Sequence, residues 1–209
     1  MGNVQRAAWV PDDDPERDWE LAAQLAVAWI QQECDEQDAG GVLVLNAFGA
    51  QDHSPALRRF SALHACTTPR ADRSRVGCGI GPVLVYAPTE KTLDFAMSLA
   101  RGSSIAVIEG TLFPLRGWAQ QLGAIDLTRP NDEPEQIPPR LVEAIERLDF
   151  YGNNGFGDQF GKQQAGNILR DLRDAGILDR EFILGAMAAR GASDRSIKNL
   201  SKIVDRLNL

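Results

Sequence analysis

Cysteine, histidine and long apolar runs are scarce in this 209-residue chain, and each scarcity excludes a class of protein. Three cysteines are too few, and odd in number, for a disulfide scaffold, which favours a reducing compartment. No apolar run approaches the roughly 20 residues that span a bilayer. The first residues also lack the apolar core of a signal peptide. We therefore expect a cytoplasmic protein with no membrane partner.

Signatures of hydrolases and of zinc sites are also absent. The chain has no Gly-x-Ser-x-Gly sequence and no Cys-x-x-Cys pair. With only two histidines, there are few choices for a general base. Nitrogen and sulfur ligands occur at His53, His64, Cys66 and Cys78, but their spacing matches no common zinc pattern. We predict no metal site and no cofactor.

The chain as a whole lacks the basic charge that is typical of nucleic-acid-binding proteins, since its formal net charge is −7. The charge is unevenly distributed, however. Residues 1–135 carry 11 basic and 19 acidic side chains, whereas residues 136–209 carry 11 basic and 10 acidic ones. Any affinity for polyanions is therefore expected towards the C-terminus.

Short apolar runs that alternate with helical patterns predict an α/β fold. The runs at 42–47, 83–87, 104–109 and 124–127 are predicted strands, and helical periodicity separates them. Continuous rather than alternating apolar strands are typical of a parallel sheet that is covered on both faces. We predict a small Rossmann-like parallel sheet of about four strands with flanking helices, followed by an all-helical C-terminal subdomain.

The N-terminal segment indicates a helix but no strand. Residues 1–10 show no periodicity and are expected to be loosely attached. Asp14 is suited to cap a helix and Pro15 to its first turn, ahead of an apolar stripe that begins at Trp19.

A proline-rich acidic segment divides the chain. Residues 129–139 read RPNDEPEQIPP, and the segments that follow show helical periodicity, with a glycine-rich interruption at 151–161. We predict an α/β domain with an N-terminal helix at 1–130 and a linker at 131–138. A helical subdomain at 139–209 would end in a hairpin that resembles a helix-turn-helix unit.

Polar residues follow the predicted strands at their carboxyl ends, where open parallel sheets bind ligands. Glu109 ends an apolar run, and with Asp52 or His53 nearby it is a candidate base or ligand of a divalent metal. The alternative is that such residues are caps and turn residues of the following helices, as Thr89 after Pro88 suggests. The candidate ligand-binding residues at this edge are Asn46, Thr89, Lys91 and Thr111.

Two glycine-rich segments resemble phosphate cradles but lack the context that such cradles need. In residues 66–81 the glycines precede a strand, and residues 155–163 follow a helix and carry Gln163 where a P-loop has Ser or Thr. The first is predicted to be an arginine-rich surface loop that meets a partner. The second is predicted to be a turn pinned by aromatic rings that pack between the domains, namely Phe150, Tyr151, Phe156 and Phe160.

The last two predicted helices have the spacing of a helix-turn-helix unit. Gly191 permits a tight turn, Ser193 is suited to cap the second helix, and Ile197 and Leu200 follow at six and nine residues after the glycine. The alternative is a plain helical hairpin with a basic solvated face. The outward residues are of types that contact phosphates or base edges: Arg195, Lys198, Asn199, Lys202 and Arg206.

The sequence leaves two functional hypotheses. The favoured one is a non-enzymatic binding or adaptor protein. Its α/β domain docks a protein or small ligand, and its basic C-terminal hairpin contacts nucleic acid or a protein partner. The alternative is a small-ligand or metal-dependent enzyme with its site at the carboxyl edge of the sheet, around Glu109. The first is favoured because no motif completes a catalytic set.

Overall fold

The computed structural model describes residues 4–71, 81–133 and 135–207. The chain forms two compact units. Residues 1–113 and 122–132 make up the first, which we call the sheet unit. Residues 114–121 and 133–209 make up the second, which we call the helical unit. The domain limits inferred from the sequence remain a prediction, and most of the predicted arginine-rich loop (residues 72–80) lies outside the described residues.

The described part of the sheet unit contains six parallel strands in the order β3-β2-β4-β5-β1-β6. Its helices are α1 (Trp19–Gln37), α2 (Pro55–Leu63) and α3 (Glu90–Leu99), and a short 3-10 helix spans Ala50–His53. The strands are β1 (Ala7–Val10), β2 (Val42–Val44), β3 (Ala65–Thr67), β4 (Val83–Tyr86), β5 (Ile105–Ile108) and β6 (Ile125–Asp126).

The prediction of a parallel α/β sheet is confirmed, but the prediction of about four strands is wrong. The N-terminal segment that was expected to be loose is β1, which lies between β5 and β6, with Ala8 and Val10 fully buried. The other missed strand, β3, forms the edge next to β2. Both strands are short, and β1 contains two alanines, which have low strand propensity, so neither gives a clear strand signal.

The first long helix begins later than the sequence predicts. Asp18 rather than Asp14 is its N-cap, accepting a hydrogen bond from the backbone N–H of Glu20 at 2.8 Å. Asp14 instead accepts a hydrogen bond from the backbone N–H of Glu16, in the turn before the helix. The acidic segment offers several residues that can cap a helix, and the apolar stripe from Trp19 onward determines which one does.

The sheet is buried on both faces, as the continuous apolar strands predict. Side chains that include Val10, Leu43 and Ile108 pack with α1 and α2 in one core. Their neighbours point to the other face because side chains alternate along a strand. Val44 and Val85 belong to that second set and are also completely buried.

Two pairs of neighbouring strands lead to helices on opposite faces of the sheet. The chain runs from β1 to β2 through α1 and from β2 to β3 through α2 in one direction along the sheet. It runs from β4 to β5 through α3 and from β5 to β6 in the other direction. Right-handed crossovers therefore place α1 and α3 on opposite faces. The resulting crevices, between β2 and β4 and between β5 and β1, are where sheets of this type bind ligands.

The helical unit contains α4 to α8, four of which follow the sheet unit in sequence. Its bounds are α4 (Arg116–Leu122), α5 (Pro139–Tyr151), α6 (Gln159–Asp174), α7 (Arg180–Ala189) and α8 (Asp194–Asp205). Capping side chains begin the last three helices, namely Asp158, Asp179 and Ser193. The first of the five, α4, lies between two strands of the sheet unit in sequence, yet most of it belongs to the helical unit.

The backbones of α4 and α7 approach closely at two glycines. A Cβ atom at Gly117 would fall well inside contact distance of the Phe182 carbonyl oxygen, and one at Gly185 would lie 2.9 Å from the Pro114 carbonyl oxygen. Both obstacles are backbone atoms, which have little room to shift. The two glycines therefore allow α4 and α7 to pack against each other.

We expect Gly117→Ala to lower the free energy of unfolding by about 1–3 kcal/mol, because overpacking at a rigid backbone contact is destabilising. Gly166→Ala is the matched control, since Gly166 also lies inside a helix but has only the end of the Arg170 side chain near its missing Cβ, at 3.9 Å. The control should gain up to about 1 kcal/mol from helix propensity. Urea denaturation measures both, and equal stabilisation by the two substitutions would contradict the close packing.

Candidate functional site

The orientation of α8 follows from its apolar stripe. Ile197, Leu200 and Val204 are 2%, 0% and 0% exposed, and α8 packs against α6 and α7. The turn before α8 uses Gly191 at a φ of 85°, and the hydroxyl of Ser193 accepts a hydrogen bond from the backbone N–H of Ser196. The opposite side of α8 is therefore left in solvent.

Four exposed cations occupy that opposite side. They fall within an arc of about 80° around the helix axis, given roughly 3.6 residues per turn. The two acidic residues of α8 are engaged: Asp194 pairs with Lys198 at 2.7 Å and Asp205 with Arg180 of α7 at 2.7 Å. We call the four cations the α8 basic face: Arg195, Lys198, Lys202 and Arg206.

Three members of the α8 basic face, Arg195, Lys202 and Arg206, form no salt bridge with any described residue. Unpaired cations on a rigid helix attract phosphate groups without first having to break an internal ion pair. This face is therefore suited to contacts with a polyanion.

Asn199, the remaining predicted contact residue on α8, has a structural partner. Its side-chain amide donates a hydrogen bond to the Gly155 carbonyl oxygen at 2.9 Å. Gly155 has a φ of 63°, and a Cβ atom there would lie 2.8 Å from the Ser196 hydroxyl oxygen. The glycine-rich turn between α5 and α6 therefore lies directly against α8.

The aromatic residues around that turn point in different directions. Phe156 is 1% exposed, whereas Phe150 and Phe160 are 70% and 62% exposed. The prediction that these rings pack between the domains stays a prediction. Tyr151 lies between the two exposed rings, with centroids 5.1 Å from Phe150 and 5.9 Å from Phe160, both in edge-to-face geometry. We call Phe150, Tyr151 and Phe160 the aromatic cluster.

The same turn does not act as a phosphate cradle of the P-loop type. The carboxylate of Asp158 accepts a hydrogen bond from the backbone N–H of Gly161 at 2.7 Å, at the start of α6. This bond, together with one from the Asn154 amide, lowers the pKa of Asp158. A negative charge already occupies the N-terminal end of α6, which leaves it poorly suited to a phosphate.

The crevice between β2 and β4 is closed by Asn46. Its amide nitrogen donates to the Ala87 carbonyl oxygen at 2.7 Å, and its carbonyl oxygen accepts from the Thr89 backbone N–H at 3.1 Å and the Thr92 hydroxyl at 2.6 Å. Ala87 has a φ of 42°, a strained value for a residue other than glycine. Thr89 also caps α3. The structure therefore brings Asn46 and Thr89 together, and both hold the loop after β4.

The crevice between β5 and β1 is filled by three charged residues. The Glu109 carboxylate accepts from the Asp12 backbone N–H at 3.0 Å, and Arg17 donates to the Glu109 carbonyl oxygen at 2.8 Å. The Arg17 side chain is 9% exposed, pairs with the Asp12 carboxylate at 3.2 Å and stacks on Trp19. The sequence alone did not identify Arg17 and Asp12 as residues of this edge, because only the observed position of β1 places them there.

The other candidates at this edge are farther apart. Asp52 and His53 follow β2, and β4 lies between β2 and the strand that precedes Glu109. Asp52 is exposed and lies 3.8 Å from the guanidinium of Arg58. Lys91 and Thr111 are both exposed. Among the described residues, no group of three His, Cys, Asp or Glu side chains could hold a metal ion.

The histidines and cysteines whose spacing matched no zinc pattern have structural surroundings where the structure describes them. His64 accepts a hydrogen bond from the Gly41 backbone N–H at 3.1 Å, and burial lowers its pKa. Burial likewise raises the pKa of the Cys66 thiol, and that of Cys34 to about 11. These groups are neutral near pH 7, with His64 in a structural role. Cys78 lies outside the described residues.

A groove of about 300 Å³ lies between α5 and α6 in the helical unit. Its floor includes the buried residues Ile168 and Leu172. Its rim carries Arg140 and Arg147 but also Glu143 and Asp171, so charges of both signs surround it. The groove therefore has no charge preference comparable to that of the α8 basic face.

None of the described helices has the length and apolar character needed to cross a membrane.

We expect Asn46→Ala to lower the free energy of unfolding by about 1–3 kcal/mol, because it leaves part-buried polar groups of the β4–α3 loop without a partner. Asn131→Ala, at an exposed position of the sheet unit, should change stability by less than about 0.5 kcal/mol. Chemical denaturation compares the two. An Asn46→Ala protein as stable as the control would show that Asn46 is not needed to hold the crevice closed.

Comparison of the chain with family models, curated proteins and solved structures found no match. Two surfaces differ in kind: the carboxyl edge of the sheet, whose polar groups mostly bind one another, and the α8 basic face, three of whose cations are unpaired among the described residues.

Proposed function

We propose that this chain is a cytoplasmic, non-enzymatic binding protein whose helical unit contacts the phosphate backbone of nucleic acid through α8. The observation that carries the proposal is the α8 basic face. Its cations share one side of a rigid helix, and the acids of the same helix are paired with Lys198 and Arg180. Phosphate contacts of this kind supply most of the affinity of non-specific nucleic-acid binding.

The net charge of −7 does not oppose a local contact of this kind. Charges farther away than the Debye length of about 10 Å at 0.1 M salt are largely screened. The acidic excess is carried by residues 1–135, whereas residues 136–209 carry one more basic than acidic residue. With only four cations on α8, the expected dissociation constant is about 10⁻⁴–10⁻⁶ M at physiological salt, the range of non-specific binding.

The sheet unit is proposed to dock a protein or a small ligand. Three large apolar side chains at its carboxyl edge support this part of the proposal. Trp19, Phe48 and Leu112 follow β1, β2 and β5 and are 39%, 57% and 57% exposed. Large apolar side chains that stay exposed on a folded surface favour contact with a partner.

An enzyme centred on Glu109 has less support. The Glu109 carboxylate accepts a hydrogen bond from the backbone of Asp12, and the Asp12 carboxylate pairs with the nearly buried Arg17. A general base needs a lone pair directed at substrate, and here the carboxylates are bound to neighbouring parts of the chain.

We expect Arg195→Ala/Lys202→Ala to weaken nucleic-acid binding at least about tenfold at low salt, because each lost phosphate contact also reduces counterion release. Fluorescence anisotropy with a labelled oligonucleotide measures the dissociation constant over a range of salt concentrations. The slope of log K against log salt should fall by about one for each cation removed.

Arg59→Ala/Arg101→Ala is the matched control, since it removes the same charge from exposed positions of the sheet unit. It should leave both affinity and salt slope nearly unchanged. Equal losses in the two double variants would mean that total charge, not α8, governs binding. Absence of salt-sensitive binding by the wild-type protein at low salt would contradict the proposed function.

A further inference from the structure

We infer that the nucleic acid bound at α8 is single-stranded, and that the exposed rings of Phe150 and Phe160 stack on its bases. The inference rests on the proposed function, because the α8 basic face supplies the contacts to the phosphates. The inference adds the aromatic cluster as a second contact surface, and this surface narrows the ligand to single-stranded nucleic acid.

The aromatic cluster and the α8 basic face belong to neighbouring segments of the helical unit. The turn that joins Tyr151 to the helix carrying Phe160 is bound to α8 through the hydrogen bond from Asn199 to Gly155. On α8, Asn199 lies within about 40° of both Arg195 and Arg206 around the helix axis, given roughly 100° per residue. The turn therefore borders the arginine side of the basic face.

The exposure of the two phenylalanine rings supports a binding role. Phe150 is 70% and Phe160 is 62% exposed, whereas Phe156 in the same segment is fully packed. Leaving these two rings in solvent forgoes burial free energy, which contact with a ligand would recover. Edge-to-face packing with Tyr151 holds both rings in position, since their planes lie at 82° and 73° to the tyrosine ring.

The chemistry of these rings favours single strands over duplexes. A phenylalanine has no donor or acceptor, so it forms no hydrogen bond to the edge of a paired base. An unpaired base presents a free π-face, and stacking on an aromatic ring tolerates any sequence. Aromatic rings beside a basic track form the usual combination in proteins that bind single strands.

The test compares three probes with the full-length protein: an oligothymidylate of about 12 nucleotides, an abasic strand of the same length, and a duplex of the same length. The oligothymidylate should bind most tightly. Phe150→Ala/Phe160→Ala should weaken its binding by about tenfold for each ring and leave binding of the abasic strand unchanged. The Phe150→Trp/Phe160→Trp variant should bind the oligothymidylate about as tightly as the wild type, because a tryptophan ring also stacks on bases.

Leu63→Ala is the matched control, since it truncates a large apolar side chain that is 76% exposed in the sheet unit and belongs to neither proposed surface. It should leave the affinity for all three probes unchanged. Circular dichroism melting checks that each variant is folded.

Three results would overturn the inference. In the first, the wild-type protein binds the abasic strand or the duplex as tightly as the oligothymidylate. Stacking on unpaired bases then contributes nothing to the affinity. Phenylalanine variants that bind all probes like the wild type place the rings outside the contact. Variants that lose as much affinity for the abasic strand as for the oligothymidylate show that the rings act without stacking on bases. In each case the proposed function survives if Arg195→Ala/Lys202→Ala still weakens binding. If the wild type binds no probe at low salt, both fail and the exposed rings are assigned to a protein partner.

Discussion

Burial of one apolar stripe on α8 is the constraint on which the account of the helical unit depends. Ile197, Leu200 and Val204 are removed from water against α6 and α7. Burial of each large aliphatic side chain contributes about 2 kcal/mol to stability. An orientation of α8 that exposed these three side chains would therefore be much less stable. The α8 basic face is therefore displayed as a consequence of core packing. This orientation of α8 also places Asn199 and Ser196 against the glycine-rich turn. The turn connects the aromatic cluster to the α8 basic face.

The two units differ in how they use their polar side chains. At the carboxyl edge of the sheet, the amide of Asn46 and the guanidinium of Arg17 bind neighbouring loops and strand ends, and they hold both crevices together. Such bonds stabilise the loops but leave few polar groups for a substrate. On α8 the pattern is reversed, because the acids have partners while three of the four cations have none among the described residues. This contrast is the basis for proposing a binding function.

Periodicity in the sequence predicted the parts of the fold that bury long or continuous apolar surface. It located four of the six strands and also the caps Thr89 and Ser193, because those signals are local. It missed β1, whose burial arises from pairing with β5 nearly one hundred residues later. The same long-range pairing hid Arg17. The exposure of Phe150 and Phe160 was also not predictable. Aromatic residues are usually buried, so sequence alone predicts burial unless the positions of the neighbouring residues are known. The basic face was predictable, since helical spacing alone sorts inward from outward residues.

Photochemical cross-linking tests the central claim most directly, because it locates the nucleic acid on the folded protein. A single-stranded oligonucleotide that carries 5-iodouracil forms covalent adducts with aromatic rings in stacking contact, and mass spectrometry identifies the modified residues. The account predicts adducts at Phe150 and Phe160 that disappear when Arg195 and Lys202 are replaced by alanine. Adducts confined to Trp19 or Phe48 of the sheet unit would contradict it.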